Sequence, residues 1–233
     1  MKKGDVGAVI FLVAFACAVV FFPWTVSLTG KVELGSLAKG FDNFGKFTAR
    51  FPYLMGFFKV GLLATFGEML KVRVKTGSWK VPSLIARFIV WGIVGLLFTF
   101  VFAMFGKGVE ALTAPHLPNK GSLWFVVNGN DFGSKLLLAF SISFWQNVIF
   151  AFPMMLGHEW CNEVITQKRF VGGAEFLEKL NKPVWGSFIP KTIVFFWIPA
   201  HTVTFLLPPD YRVLMSAVLS LVLGAILTFR SGK

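Results

Sequence analysis

The C-terminal region of the chain contains two long apolar stretches that are separated only by a short turn. The first stretch runs from Phe188 to Leu207 and the second from Val213 to Phe229. The residues between them include Pro208 and Pro209, which interrupt a helix, and a single cation, Arg212. A helix needs about 20 residues to cross the hydrocarbon core of a bilayer, with a lower limit of about 17. The pattern therefore predicts two membrane-spanning helices joined by a turn that Pro208, Pro209 and Arg212 shape.

Four earlier stretches also have the length and composition of membrane spans. They are Val6–Phe22, Pro52–Lys71, Leu84–Phe105 and Lys135–Leu156. Only 15% of all residues are charged, whereas soluble domains contain about 25%. The stretches are continuously apolar and do not alternate, which disfavours a barrel of strands. We predict an all-α fold, a polytopic integral membrane helical bundle with about six transmembrane helices.

Two of the connections have an amphipathic pattern. Between Gly35 and Phe51, apolar residues recur at steps of three and four with Lys39, Lys46 and Arg50 between them. A shorter pattern of the same kind covers Ala174–Leu180. Both predict amphipathic helices at the membrane interface. Residues 113–132 are rich in Pro, Gly and Asn and are predicted to form a loop.

The chain divides into two parts on this reading. Residues 1–51 form an N-terminal transmembrane helix with an amphipathic interfacial segment, and residues 52–233 form the main membrane bundle. The apolar run after Met1 ends without a small-residue cleavage site, so we predict an uncleaved first span.

The net charge of +12 lies at the ends of the apolar stretches and in the connections. Nucleic acid is not an expected partner, because no basic surface with interleaved aromatic residues occurs outside these stretches. We expect contacts with the lipid bilayer and with anionic lipid headgroups. With six spans and an inner N-terminus, thirteen Lys and Arg side chains fall inside and eight outside. This bias agrees with a topology in which both termini are cytoplasmic. The N-terminal residues lack the Arg- and Ser-rich pattern of a mitochondrial import signal, so we predict a bacterial inner membrane, with an organelle membrane as the alternative.

Four polar side chains inside the predicted spans are candidates for lining a pore: Glu68, Gln146, Asn147 and His201. Glu68 could line an aqueous path or pair with Lys71 on the same helix. The amides of Gln146 and Asn147 lie near the centre of their span and must find partners, either on a neighbouring helix or in a polar cavity. His201 is either a hydrogen-bonded core histidine or a pH-sensitive group near a pore.

Small residues form a face on the third predicted span, where Gly92, Gly95 and Thr99 follow each other at helical spacing. Such residues allow another helix to approach closely. We therefore expect a tight helix–helix contact at this face.

The sequence supports no catalytic, cofactor or metal site. His158 and Glu159 begin like a zinc-protease helix, but Asn162 occupies the place of the second histidine. Cys161 could add a second ligand, but two ligands do not make a metal site. No phosphate-binding loop or nucleophile elbow occurs, and we expect a protein that is not an enzyme. The remaining enzymatic alternative is a lipid-acting protein that uses His158 and Glu159 at the interface.

Trp197, Pro199, Phe205, Pro208 and Arg212 follow each other in this order near the C-terminus, and Gly67-Glu68 lies in the second predicted span. On these residues the chain shows a resemblance to the Mpv-seventeen family, which includes the twenty-two-kilodalton peroxisomal membrane protein. It covers roughly Pro52 to Phe229. It implies a small, weakly selective pore or solute pathway, since some members of that family behave as channels.

We therefore predict an integral membrane protein that forms or contributes to a channel for small solutes or ions. The sequence is compatible with a homo-oligomer. The rival prediction is a structural or assembly protein of the membrane, in which the buried amides only join helices.

Overall fold

The computed structural model describes residues 3–112 and 132–231, with the side chains of residues 4–112 and 132–222. The predicted loop at residues 113–132 thus lies outside this description apart from its last residue. In the described part, eight helices occur. They are α1 (Lys3–Val20), α2 (Gly40–Arg50), α3 (Pro52–Thr76), α4 (Leu84–Leu112), α5 (Phe132–Gln167), α6 (Gly173–Lys179), α7 (Val184–Leu206) and α8 (Pro209–Ser231). A single turn of 3₁₀ helix, Leu37–Lys39, precedes α2.

Four of the helices, α3, α4, α5 and α7, are long and apolar enough to cross a membrane. They correspond to four of the predicted spans, and the prediction of a helical membrane bundle is confirmed to this extent. The apolar part of α1, Gly4–Val20, is shorter than these four helices. The backbone of α8 forms one continuous helix of 23 residues.

One element departs from the predicted all-α fold. Strands β1 (Trp24–Val26) and β2 (Val32–Leu34) form an antiparallel hairpin in which Thr25 is opposite Glu33. Gly30, in the connection, has a φ of 79°, which a residue without a side chain adopts at little cost. Three-residue strands lie below the length at which alternation of apolar and polar residues becomes visible, and this explains why the sequence did not reveal the hairpin.

Prolines inside the spans widen the helices without ending them. Turns of π-helix at Asn147–Ala151, Val184–Phe188 and Ile193–Trp197 each end two residues before a proline. These prolines are Pro153, Pro190 and Pro199. A proline ring has no N–H and collides with the carbonyl four residues earlier, so the preceding turn opens to relieve the contact. The prolines therefore shape α5 and α7 from within.

Helices α3 and α4 pack antiparallel through glycines. A Cβ atom on Gly95 would collide with the backbone carbonyl of Gly56, and a Cβ on Gly56 would lie 2.8 Å from the carbonyl oxygen of Gly95. Gly92 lies similarly close to the ring of Phe57. The predicted close contact at Gly92 and Gly95 is confirmed, and its partner is α3.

Replacing Gly95 by alanine is expected to destabilise the protein by about 1–3 kcal/mol, the usual cost of overpacking. The added methyl group meets backbone atoms of α3, which cannot move aside without shifting the helix. Thermal unfolding in detergent micelles measures the effect. Gly108→Ala is the matched control, because nothing lies within 4 Å of a Cβ at this position of the same helix. Equal unfolding midpoints for the two variants would contradict the close contact.

Helix α2 is amphipathic as predicted, and part of its apolar face contacts protein. Phe44 is buried and packs in one cluster with Val19 of α1 and Met55 of α3. The hydroxyl of Tyr211, in α8, donates a hydrogen bond of 2.7 Å to the carbonyl of Phe41, and the two rings stack. These contacts join the predicted N-terminal part, residues 1–51, to the main bundle.

Helix α6 confirms the second amphipathic pattern. Its Phe176 is buried, while Glu175 accepts hydrogen bonds from Arg169 and from Lys179. These two cations lower the pKa of Glu175 to about 2. The helix is thus held by one apolar contact and by an exposed charge cluster.

Candidate functional site

A buried polar cluster, here called the central cluster, joins α5, α7 and α8. It consists of Asn147, His201, Ser216 and Ser143. The Nδ1 atom of His201 lies 3.1 Å from the amide nitrogen of Asn147, and its Nε2 atom lies 2.9 Å from the hydroxyl of Ser216. Both ring nitrogens therefore have partners, each on a different helix.

The central cluster is also anchored to the helix backbone. Asn147 donates to the carbonyl of Ser143 at 2.8 Å, and the Ser143 hydroxyl donates to the carbonyl of Ile198 at 2.7 Å. Asn147 and Ser143 lie one turn apart on α5, and Ile198 begins the last turns of α7. The side chains that hydrogen-bond to each other in this cluster therefore also fix the relative positions of α5 and α7.

Two polar atoms in and beside the central cluster have no hydrogen-bond partner among the described residues. They are the side-chain oxygen of Gln146 and the indole nitrogen of Trp197. Gln146 is only 2% exposed, and the Trp197 ring stacks on His201 with centroids 5.2 Å apart. A buried polar atom without a partner is costly, typically about 1–3 kcal/mol. These atoms are therefore places where water or a polar solute would bind favourably.

A second cluster, here called the ionic cluster, joins α3, α4 and α5. Its acidic member is Glu68, which accepts hydrogen bonds of 3.0 Å from Arg87 and from the indole of Trp91. The Nε2 atom of His158 lies 3.6 Å from the same carboxylate. The side chains of Glu68 and Arg87 are 17% and 14% exposed, so this ion pair is largely shielded from solvent.

The ionic cluster closes into a ring through Asn162. Arg87 donates to the side-chain oxygen of Asn162 at 3.1 Å, and the amide nitrogen of Asn162 lies 3.3 Å from Nδ1 of His158. Because an arginine can only donate, this contact orients the Asn162 amide. The amide then donates to Nδ1 of His158. The Nε2 atom of His158 faces Glu68 from 3.6 Å, too far for a hydrogen bond, and has no hydrogen-bond partner among the described residues.

The two clusters lie at different depths in the bundle. On α4, Trp91 contacts His158 of the ionic cluster, and Phe102 contacts His201 of the central cluster. The two residues are eleven positions apart, which corresponds to about 16 Å along a helix. The structure therefore brings Asn147 and His201 together and places Glu68 elsewhere. The ion pair of Glu68 is with Arg87, beside the ring of His158, and not with Lys71 as one alternative proposed.

The predicted turn residues hold α7 and α8 together. Pro208 lies in the turn, and Pro209 is the first residue of α8. Arg212 donates to the carbonyls of Leu207 and Phe205, at 2.9 and 3.1 Å. Carbonyls at the end of a helix lack hydrogen-bond partners within the helix itself, and Arg212 supplies them at the end of α7. The positive charge also interacts favourably with the helix dipole there.

Several residues of these sites were missed by sequence reasoning. Arg87 and Trp91 complete the ionic cluster, and Ser216 completes the central one. Lys59 of α3 is 3% exposed and donates to the hydroxyl of Thr48 and the carbonyl of Asp210, each at 3.3 Å. A lysine in an apolar run was the available signal, since such a charge must find partners in the protein.

The two side chains weighed above as metal ligands lie in different surroundings. His158 belongs to the ionic cluster, and Cys161 is half-buried with a free thiol. Among residues 3–112 and 132–231, no group of three or more His, Cys, Asp or Glu side chains is arranged to hold a metal ion.

Long apolar helices with hydrogen-bonded polar clusters between them are typical of polytopic helical membrane proteins. No family model matches the chain, and no curated protein or solved structure is detectably similar to it. The resemblance to the Mpv-seventeen family therefore stays a prediction.

Proposed function

We propose that the protein forms or contributes to a pathway for small solutes or ions across a membrane. The observation that carries the proposal is the buried side-chain oxygen of Gln146, which has no hydrogen-bond partner among the described residues. Retaining an unsatisfied amide at this depth is costly in a purely structural helix. A polar group that solvates a passing molecule accounts for that cost.

The arrangement of the two clusters supports the same proposal. Both contact α4 and α5, so polar groups recur at two depths along one pair of helices. Between the two clusters, the rings of Phe98 and Phe150 approach each other with centroids 6.3 Å apart. Apolar constrictions of this kind close pathways by excluding water. The described conformation then corresponds to a closed state.

In this proposal the chain crosses the membrane six times, with α1 and α8 added to the four long helices. Both termini lie in the cytoplasm and the membrane is the bacterial inner membrane, with an organelle membrane as the alternative. The pairing of Asp5 in α1 with Arg73 at the end of α3 supports this arrangement, because it places the start of α1 beside the positively charged α3–α4 connection.

The second candidate function is a structural or assembly protein of the membrane. It is favoured by the central cluster, in which Asn147, His201 and Ser216 bind each other across three helices. Hydrogen bonds between helices are a general means of holding membrane bundles together. For these three residues, joining helices is a sufficient role.

Gln146→Leu separates the two candidates. Because the Gln146 oxygen has no partner to lose, the variant is expected to remain folded, with a stability equal to or up to about 1–3 kcal/mol above the parent. In the pathway proposal, the flux of glycerol, urea or potassium ions into proteoliposomes changes severalfold. Val148→Leu is the control, since Val148 is half-exposed on the same helix.

Measurements of solute flux and conductance on the wild-type protein are the first test of the pathway proposal. Folded protein without solute flux or conductance at any pH or voltage would overturn the pathway proposal in favour of the structural one. Flux that is equal in Gln146→Leu and Val148→Leu would remove Gln146 from the pathway.

A further inference from the structure

A groove of about 490 Å³ lies between α1 and α3, away from both polar clusters. Most of its lining is apolar and includes Val9 and Leu12 of α1 with Phe66 and Leu70 of α3. At one end it is polar, where Asp5, Arg73 and Trp79 meet. The groove therefore has a long apolar part and a short charged end.

The charged end is a defined arrangement. Arg73 donates from Nε and Nη2 to the two carboxylate oxygens of Asp5, at 2.7 and 3.0 Å, and the indole of Trp79 donates to the same carboxylate at 3.1 Å. A guanidinium has five N–H groups, so the two that bind Asp5 leave others for a further acceptor. Tryptophan is enriched where the hydrocarbon core meets the headgroups.

The groove opens outward, towards the surroundings of the bundle. Val9, Leu12 and Val74 along it are 51%, 37% and 45% exposed. In a chain whose α3 is long and apolar enough to cross a membrane, the molecules beside such a surface are lipids. An acyl chain matches the apolar part, and a headgroup matches the polar end.

The charge around the polar end selects the kind of headgroup. Lys75 and Lys80 accompany Arg73 in the stretch from Val72 to Ser83, which contains no acidic residue. Asp5 neutralises one of these three cations, so an excess of positive charge remains. A clustered excess of this kind attracts anionic lipid.

We propose that this groove is a binding site for one anionic phospholipid. An acyl chain lies along Val9, Leu12 and Leu70, and the phosphate accepts hydrogen bonds from Arg73 next to Trp79. The site secures α1 against α3, and it is independent of the proposed solute pathway.

Native mass spectrometry of protein extracted from vesicles with equal amounts of phosphatidylglycerol and phosphatidylethanolamine tests the proposal. Ala8→Phe places a ring in the groove and is expected to lower the retained phosphatidylglycerol about tenfold, equivalent to about 1.4 kcal/mol of binding free energy. Ala103→Phe is the matched control, because Ala103 is exposed on α4. The charge variant Lys75→Gln/Lys80→Gln is expected to reduce the preference for phosphatidylglycerol while leaving the apolar part intact.

Two results would overturn the site. One is an equal amount of retained lipid in Ala8→Phe and Ala103→Phe. The other is wild-type protein that retains both lipids equally, which would mean that only general contact with the bilayer is observed. Circular dichroism establishes that all variants keep their helices. Since solute flux is not measured, the outcome leaves the pathway proposal unaffected.

Discussion

Arg87→Leu is expected to destabilise the protein by about 3–5 kcal/mol, because it leaves a shielded carboxylate without its cation. In the variant, Glu68 retains only the indole of Trp91 and the ring of His158 as partners. Asn162 loses the donor that orients its amide. The partial exposure of the pair places the expected cost at the lower end of this range. Reversible unfolding in mixed detergent micelles measures it.

Two further variants separate the charge from the geometry of the ionic cluster. Arg87→Lys keeps the charge but cannot reach Glu68 and Asn162 with one planar group, so an intermediate loss is expected. Glu68→Leu/Arg87→Leu removes both charges and is expected to recover much of the stability, since no unpaired charge remains. An Arg87→Leu protein as stable as the parent would show that the ionic cluster does not stabilise the fold.

His201→Leu is expected to destabilise the protein by about 1–3 kcal/mol, because the buried hydroxyl of Ser216, which is 0% exposed, loses its hydrogen-bond partner. The amide of Asn147 loses one contact but keeps its hydrogen bond to the carbonyl of Ser143. The leucine also forfeits the ring contacts with Trp197 and Phe102. The same unfolding experiment measures this loss.

A double-mutant cycle isolates the hydrogen bond between α7 and α8. Ser216→Ala removes the partner of His201 Nε2, and its cost should not add fully to that of His201→Leu, because both variants break the same contact. Full additivity would contradict the hydrogen bond. Ser220→Ala is the control, since Ser220 lies one turn further along α8 and donates to the carbonyl of Ser216 within its own helix.

The helices of this protein could be predicted well from the sequence, and their contacts could not. Uninterrupted apolar runs predicted α3, α4, α5 and α7, and periodic phenylalanines predicted α2. The ends of the helices differ from the predictions by up to about a dozen residues because polar residues continue a helix beyond the apolar core, as Lys75 does in α3. The hairpin at residues 24–34 is too short to have a pattern.

The polar sites show the same contrast between what was predictable from the sequence and what was not. The sequence identified Glu68, Asn147 and His201 as buried polar groups that need partners, since their position in apolar runs follows from composition alone. The partners of these groups are far away in sequence, as His201 is from Asn147, so no local pattern connects them. The turn with Pro208, Pro209 and Arg212 is the exception, because Arg212 donates to carbonyls only five and seven residues earlier in the chain.

The sequence by itself determined that this chain forms long apolar helices with a few costly polar groups among them, because burial of apolar surface and backbone hydrogen bonding are local demands. Only the tertiary structure decided that these groups divide into an ionic cluster and a central cluster about 16 Å apart along α4. The register between helices sets that division, and close contacts such as Gly56 with Gly95 determine the register. The two prolines that separate the last apolar stretches define the turn between α7 and α8. The contact of His201 in α7 with Asn147 in α5 is decided only by the tertiary structure.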